Sequence, residues 1–144
     1  MKVKDILNSK GRKVFTVSED DSVEFVVSQL ATNKIGFLIV QTSAGAVAGV
    51  ISERDVVHRC MSMKKDPVLM KAKEIMTPKG QLITAAEDDE IEHIMSTMTE
   101  KKIRHLPVFQ NDAIAGLISI GDVIKFILEE KNEAIKSLMD YVSR

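Results

Sequence analysis

The chain has one cysteine, no tryptophan, few aromatic residues and no excess of charge of either sign. A single cysteine, Cys60, excludes an intramolecular disulfide framework and a zinc site built from several cysteines, and it favours a reducing compartment. The 20 basic and 21 acidic side chains argue against the broad basic surface that a nucleic-acid polymer requires. With aromatics at 4%, the core has to be built from aliphatic side chains and the 8 methionines.

No segment is apolar enough to predict a membrane anchor. The first residues, MKVKDILNSKGRKV, lack the apolar region of a secretory signal, and no run approaches the roughly 18 apolar residues of a spanning helix. We therefore expect a cytoplasmic protein with no membrane partner. The 144 residues, 44% of them apolar and 28% charged, are typical of a globular protein with a real core.

Four blocks of sequence occur twice in the same order, and the offset between copies falls only from 69 (72 − 3) to 67 (116 − 49). The pairs are Val3–Leu7 with Ala72–Met76, Thr16–Asp21 with Thr84–Asp89, Lys34–Val40 with Lys102–Val108, and Gly49–Val57 with Gly116–Ile124. Repeats of this kind predict two similar structural units. We expect repeat 1 at residues 1–64, a connector at 65–71, repeat 2 at 72–128 and a helical tail at 129–144.

Each copy predicts the element order β-α-β-β-α. The predicted strands are Phe15–Val17, Phe37–Gln41 and Ala46–Ile51 in the first copy, and Leu82–Thr84, Leu106–Phe109 and Ala113–Ser119 in the second. The first helix of each copy carries apolar residues at helical spacing: Val23, Val26, Val27 and Leu30, then Ile91, Ile94, Met95 and Met98. Ser22 is the expected cap of one, and Asp88 or Asp89 of the other. The second helices should begin near Glu53 and Ile120.

Beyond Phe126 the chain is strongly helical in composition and carries a rough apolar stripe. Its members are Ile127, Leu128, Ile135, Leu138, Met139 and Val142. The stripe either extends the last helix over the core or forms a dimer contact.

The spacing Ser-x-x-Asp occurs at the predicted start of both second helices, as Ser52 with Asp55 and Ser119 with Asp122. This pattern predicts a capping box, in which the serine caps the helix and the acid three residues on reaches back.

The blocks Gly49–Asp55, Gly116–Asp122 and Lys102–Val108 resemble the tandem CBS (cystathionine β-synthase) domain pair, or Bateman module. The resemblance runs from Val3 to about Lys125 and so implies a stand-alone member of the family. It implies an α/β fold of two β-α-β-β-α repeats about a pseudo-two-fold axis, with a C-terminal helix following. It also implies a homodimer and two clefts that bind AMP, ADP, ATP, NAD(H) or S-adenosylmethionine as regulatory ligands.

By this resemblance, Asp55 and Asp122 would accept hydrogen bonds from a ribose diol, with Ser52 and Ser119 beside them. A carboxylate plays that part in dinucleotide folds, and the helix start favours an anion. The base and sugar would contact Thr16, Thr84, Ile35, Ile103, Phe37, Leu106 and Pro107. For the threonines and isoleucines, the alternatives are ordinary strand and core positions.

The resemblance assigns the phosphates to Arg104 and His105, with Gly121 allowing a close backbone approach. The alternative for Arg104 and His105 is a surface pair. The first copy has Gly36 and Phe37 at the same positions, so the two clefts should differ in ligand or affinity. Arg54 and Arg59 either add positive charge there or are solvated helix residues.

We expect a regulatory adenosyl-ligand sensor of energy or redox state that signals to an unidentified protein. The alternative is a structural dimerisation module with degenerate clefts. No catalytic motif of the Ser-His-Asp, H-E-x-x-H or phosphate-loop type is present, so we expect no enzyme. We expect no metal either, because the consecutive residues His58–Met61 point in different directions on a helix.

Overall fold

The computed structural model describes residues 1–143, and Arg144, the last residue of the predicted tail, lies outside them. The chain forms two compact units. The first unit is Lys13–Ile83, and the second unit combines Met1–Arg12 with the chain from Thr84 onward. Each has a mixed α/β composition, as the sequence predicts.

The first unit contains a four-stranded sheet in the order β1-β2-β3-β4. Its strands are β1 (Thr16–Ser18), β2 (Phe37–Gln41), β3 (Val47–Ser52) and β4 (Thr77–Pro78). The β1–β2 pair is parallel and the other pairs are antiparallel. The helices are α2 (Val23–Asn33), α3 (Glu53–Val56), which continues as a π-helical turn (Val57–Met61), and α4 (Ala72–Ile75), with a 3₁₀ turn at Lys79–Gln81.

The second unit contains a three-stranded sheet in the order β5-β6-β7. Its strands are β5 (Ala85–Ala86), β6 (His105–Gln110) and β7 (Ala113–Ser119). Parallel pairing joins β5 to β6, and antiparallel pairing joins β6 to β7. The helices are α1 (Val3–Lys10), α5 (Ile91–Lys101) and α6 (Ile120–Val142). Among residues 1–143, no helix is both long and apolar enough to cross a membrane.

Most predicted elements are confirmed, with three corrections. Strand β1 begins at Thr16, one residue later than predicted, and the strand predicted at Leu82–Thr84 lies at Ala85–Ala86. The repeat accounts for the observed position of β5, because the offset of 68 maps Val17 and Ser18 of β1 onto these two alanines.

The third correction concerns the start of α5. Ser22 caps α2 as predicted, since its Oγ accepts from the amide of Phe25 at 3.0 Å. Neither Asp88 nor Asp89 caps α5, because the N-cap residue is Glu90 and no side chain bonds there. Asp89 closes the preceding turn instead, where its Oδ2 accepts from the amide of Ala86 at 2.8 Å.

The leading helix of each sequence repeat packs in the compact unit that holds the other repeat's sheet. Helix α1 buries Val3, Ile6 and Leu7 in the core of the second unit. Helix α4 buries Ala72 and Ile75 in the core of the first unit. The compact units are thus a different division of the chain from the predicted repeats, whose boundaries stay a prediction.

Backbone hydrogen bonds fix both leading helices in the same way. The amides of Val3 and Lys4 donate to the carbonyls of Asp89 and Glu87, both at 2.9 Å. The matching amides of Ala72 and Lys73 donate to the carbonyls of Asp21 and Glu19, at 2.7 and 3.0 Å. In both units, therefore, the free amides at a helix start are satisfied by the turn that follows the first strand.

A glycine on the third strand of each copy leaves space for the docked segment. A Cβ at Gly116 would lie 2.7 Å from the Leu7 Cδ2 atom. At the matching Gly49, a Cβ would lie 3.0 Å from Met76 Sδ and collide with the carbonyl oxygen of Thr77. These two glycines are required by close approach.

Replacing Leu7 by alanine should lower the free energy of unfolding by about 2–5 kcal/mol, because the side chain is fully buried and its loss leaves a cavity. Urea denaturation would measure the change. Ser9→Ala, at an exposed position of the same helix, is the control and should stay within about 0.5 kcal/mol of the unmodified protein. Equal stability of the two variants would contradict the docking of α1.

Candidate functional site

Both Ser-x-x-Asp sequences form the predicted capping box. At the start of α3, the amide of Asp55 donates to Ser52 Oγ at 3.2 Å, and the amide of Ser52 donates to Asp55 Oδ2 at 3.0 Å. At the start of α6, the same two bonds between Ser119 and Asp122 measure 3.0 and 2.9 Å. Each box therefore fixes a partly buried carboxylate at a helix N-terminus.

The sheet brings the start of a strand beside each box. In the first unit, Phe37 pairs with Ser52, and the amide of Glu53 donates to the carbonyl of Gly36 at 3.0 Å. In the second unit, His105 pairs with Ser119, and the amide of Ile120 donates to the carbonyl of Arg104 at 2.8 Å. We call these groups the first half-site (Gly36, Phe37, Ser52 and Asp55) and the second half-site (Arg104, His105, Ser119 and Asp122).

The carboxylate of Asp122 has a lysine partner that the sequence analysis missed. Lys10, at the end of α1, places Nζ 2.6 Å from Asp122 Oδ2 and 2.8 Å from the carbonyl oxygen of Leu117. A sequence signal does exist, because the offset of 69 maps Lys10 onto another lysine, Lys79. The pairing itself joins residues 112 positions apart, so spacing alone does not reveal it.

Folding lowers the pKa of Asp122. Burial is the largest single influence and raises this pKa, but the hydrogen bond and charge of Lys10, together with the bonds from Ser119, outweigh it. The carboxylate is therefore held in its charged form by groups of the second unit.

The carboxylate of Asp55 faces an arginine of its own helical segment. Arg59 Nε lies 3.7 Å from Asp55 Oδ1, and the aspartate side chain is only 13% exposed. The guanidinium also donates to the carbonyls of Ile75 and Met76, at 3.3 and 3.0 Å. Arg59 thus ties the end of α4 to this carboxylate, while Arg54 is exposed.

The predicted base and sugar residues divide into exposed and buried groups. Thr16 is exposed and pairs with Ile39, two residues along β2 from Phe37, while Thr84 is exposed just before β5. Ile35 and Ile103 pack partly buried against the two cores. The side chains of Phe37, Leu106 and Pro107 are buried.

Pro107 lies inside β6. It pairs with Leu117 of β7, and pairing with β5 begins only at the next residue, Val108. The missing proline N–H therefore falls where β6 has a single neighbour, so the ladder loses no bond to β5.

Among residues 1–143, no group of three or more histidine, cysteine or acidic side chains is arranged to hold a metal ion. The Cys60 thiol is buried and donates to the carbonyl of Lys65 at 3.4 Å.

The CBS domain family matches residues 3–62 and 72–129. These two segments cover most of the chain, and they include both Ser-x-x-Asp boxes and both pairs of central strands. The chain belongs to the CBS domain family and carries two copies of the domain.

Two relatives resemble the chain over nearly its whole length. It is 30% identical to the mitochondrial CBS domain-containing protein CBSX3 of Arabidopsis thaliana, over 97% of this chain and 71% of that protein. It is 32% identical to the solved structure of a putative signal-transduction protein with CBS domains from Burkholderia ambifaria, with a TM-score of 0.83. That comparison covers 90% of this chain and 95% of the other.

Two structures with bound ligands share the fold at lower identity. A CBS domain protein of Pyrobaculum aerophilum complexed with AMP is 24% identical, with a TM-score of 0.73 over 85% of this chain and 89% of that one. The CBS domain pair of protein MJ0100, in complex with 5-methylthioadenosine and S-adenosyl-L-methionine, is also 24% identical. Its TM-score is 0.75, over 90% of this chain and 98% of that one.

The lowered pKa of Asp122 predicts an acid-dependent stability. Folding lowers this pKa below its usual 3.8, so the stabilisation is present above that value and is lost as pH falls through the lowered pKa. The stability difference between the unmodified protein and Asp122→Asn should therefore be constant near neutral pH and shrink below about pH 4. Urea denaturation at a series of pH values would measure it.

Asp20→Asn is the matched control. The hydrogen bond and charge of Lys73 lower the pKa of Asp20 as well, but this carboxylate lies in an exposed ion pair. Solvent screening makes such pairs weak, so its acid dependence should be the smaller. An Asp122→Asn difference that stays constant down to about pH 2 would contradict the pairing with Lys10.

Proposed function

We propose that the protein is a regulatory module that binds an adenosine nucleotide (AMP, ADP, ATP or NAD(H)) at the two half-sites. The observation that carries the proposal is the recurrence, in both units, of an anchored carboxylate at a helix start beside the first residue of a strand. The AMP and S-adenosyl-L-methionine complexes of two proteins with the same fold support an adenosyl ligand.

Each capping box leaves one carboxylate oxygen that can accept a hydrogen bond from a ribose. In each box, Oδ2 of the aspartate accepts the backbone amide of the serine. Oδ1 takes no part in that bond, and even the Arg59 Nε beside Asp55 Oδ1 lies beyond hydrogen-bond distance, at 3.7 Å, so Oδ1 remains an acceptor for a ribose hydroxyl. The same box holds the carboxylate in one orientation, which reduces the entropy lost when the ligand binds.

The start of α6 also suits a phosphate. The amides of Ile120 and Asp122 are bonded to Arg104 and Ser119, so the amide of Gly121 is the one in the first turn that remains for an anion. A Cβ at Gly121 would meet only Ser119 Oγ, at 3.6 Å. The backbone at Gly121 is therefore open to the close approach of a ligand. Arg104 is exposed beside this turn and can supply a donor fork.

We propose a regulatory role, not a catalytic one, for a protein of the cytoplasm. Ligand binding would favour one of two arrangements of the protein, and a partner protein would respond to the change. Such a shift requires that the ligand bind the two arrangements with different affinity.

Replacing both Asp55 and Asp122 by asparagine should weaken AMP binding by about ten- to a hundredfold, because each substitution removes the charge from a ribose acceptor. Isothermal titration calorimetry with AMP and NADH would measure the affinities. Asparagine keeps the oxygen that accepts the serine amide, so the helix starts should survive.

Asp89→Asn is the matched control. This aspartate also accepts a backbone amide, from Ala86 at 2.8 Å, but in a turn outside both half-sites. The Asp89→Asn variant should bind AMP with the same affinity as the unmodified protein. Unaltered binding of both nucleotides in the double variant would rule out the ribose role.

A second role, dimerisation, is favoured by the exposed face of α6. The spacing of Ile124, Leu128, Lys131, Ile135, Leu138 and Val142 alternates four and three, as in a coiled-coil seam. Leu128, Ile135, Leu138 and Val142 are 55–77% exposed. Contiguous exposed apolar faces of this kind mark interaction surfaces, so we propose that a second copy of the chain covers this face.

The charge of Lys131 favours an antiparallel pair of helices. In a parallel pair, each Lys131 would meet its own copy in the seam, which places like charges together. In an antiparallel pair centred on Glu133, Lys131 lies opposite Ile135 of the partner subunit, Leu128 opposite the partner's Leu138, and Ile124 opposite the partner's Val142. Every layer of that register contains at least one apolar side chain.

Ile135→Glu should convert the dimer to a monomer, because it buries a charge in the seam. Sedimentation equilibrium would measure the mass. Ser137→Glu, outside the seam on the same helix, is the control and should remain dimeric. A monomeric unmodified protein, or a dimeric Ile135→Glu variant, would exclude this interface.

A further inference from the structure

Lys10 holds the carboxylate that the proposed function assigns to the ribose. Its ammonium bonds to Asp122 Oδ2 at 2.6 Å and to the carbonyl of Leu117 at 2.8 Å. Both side chains of the ion pair are partly shielded from solvent, at 35% exposure for Lys10 and 25% for Asp122. A charge-assisted bond in this setting is stronger than a fully exposed pair.

A ribose at Asp122 therefore meets a carboxylate that is already partly neutralised. Oδ2 accepts from both Lys10 and the amide of Ser119, which leaves only one oxygen, Oδ1, for the sugar. Ribose hydroxyls that bind both oxygens of the carboxylate, as a vicinal diol can, have to displace Lys10. The displaced ammonium then loses its counter-charge, and a ligand that brings no negative charge cannot replace it.

We propose that Lys10 is a specificity-determining residue of the second half-site, which excludes uncharged adenosine compounds and admits phosphorylated ones. The inference rests on the proposed function of Asp122. An uncharged nucleoside would break the ion pair without compensation. A nucleotide compensates with its phosphate, because the released ammonium stays tethered to α1 within a side chain's length of Asp122.

The surroundings give the lysine room to move. An open recess of about 380 Å³, which includes solvent space, adjoins the ion pair. It is lined by Ile6, Ser9, Lys10, Asp122, Lys125, Phe126 and Glu129. Beside the ion pair, Lys125 and Glu129 add one charge of each sign to the wall, so Lys125 is a second ammonium group available to a phosphate in the recess.

The basic neighbour of Asp55 is held differently. Arg59 Nε stands 3.7 Å from the carboxylate, and its guanidinium is bonded to the carbonyls of Ile75 and Met76. At 3.7 Å, Arg59 Nε lies beyond hydrogen-bond distance of Asp55, whereas Lys10 is hydrogen-bonded to Asp122 at 2.6 Å, so a ribose has a bond to break only at Asp122. We therefore assign the displaceable cation to Lys10 and not to Arg59.

Titration calorimetry of the full chain with AMP and with adenosine tests the inference. The unmodified protein should bind AMP more tightly than adenosine. Lys10→Met keeps the length of the side chain but removes its charge, so adenosine should bind roughly tenfold more tightly and the preference for AMP should shrink. In the Asp122→Asn background, the same lysine substitution should change the preference little, because the ion pair is already gone.

Lys4→Met is the matched control, since Lys4 lies on the same helix and pairs with Asp88 at 3.3 Å, away from Asp122. It should bind both ligands like the unmodified protein. If Asp122→Asn weakens nucleotide binding but Lys10→Met leaves the preference for AMP unaltered, the inference about Lys10 is wrong and the proposed function still stands. Absence of binding by any variant would overturn the proposed function and this inference together.

Discussion

The docking of each leading helix on the other repeat's sheet is the contact on which the rest of the structure depends. Helix α1 contributes three buried apolar side chains to the second unit, and α4 contributes two to the first. A unit of some 70 residues has a small core, and each buried aliphatic side chain contributes roughly 1.5–3 kcal/mol. Without the leading helix of the other repeat, each sheet would expose part of the face that it buries in its core.

The same docking brings the ammonium group of Lys10 to the second half-site. Lys10 reaches Asp122 only because the residues before it, Val3 to Leu7, are buried in the core of that unit. Gly116 leaves room for the helix, since a Cβ there would lie 2.7 Å from Leu7 Cδ2. The apolar contact thus fixes the position of an ion pair whose two residues are 112 positions apart in the sequence.

The sequence predicts the repeated part of this architecture well, because its signals are local. Strands β2 and β7, the starts of α3 and α6, and the capping boxes at Asp55 and Asp122 follow from apolar patterning and short spacings. The exchange of leading helices does not follow, since the pattern of Val3, Ile6 and Leu7 is the same whichever sheet covers it. The position of β5 could have been predicted from the repeat itself, because its offset aligns Ala85 and Ala86 with two residues of β1 in the sequence.

Two copies of one backbone need not give two equal sites. The half-sites share the Ser-x-x-Asp box and the pairing of a strand with a helix start, which the fold requires for its own hydrogen bonds. They differ at the neighbouring positions, with Gly36 and Phe37 in one and Arg104 and His105 in the other. The cations beside the two carboxylates differ too, since Lys10 Nζ bonds to Asp122 Oδ2 at 2.6 Å whereas Arg59 Nε lies 3.7 Å from Asp55 Oδ1. The hydrogen bonds of the two caps therefore account for both carboxylates, whereas they do not determine the side chains around them.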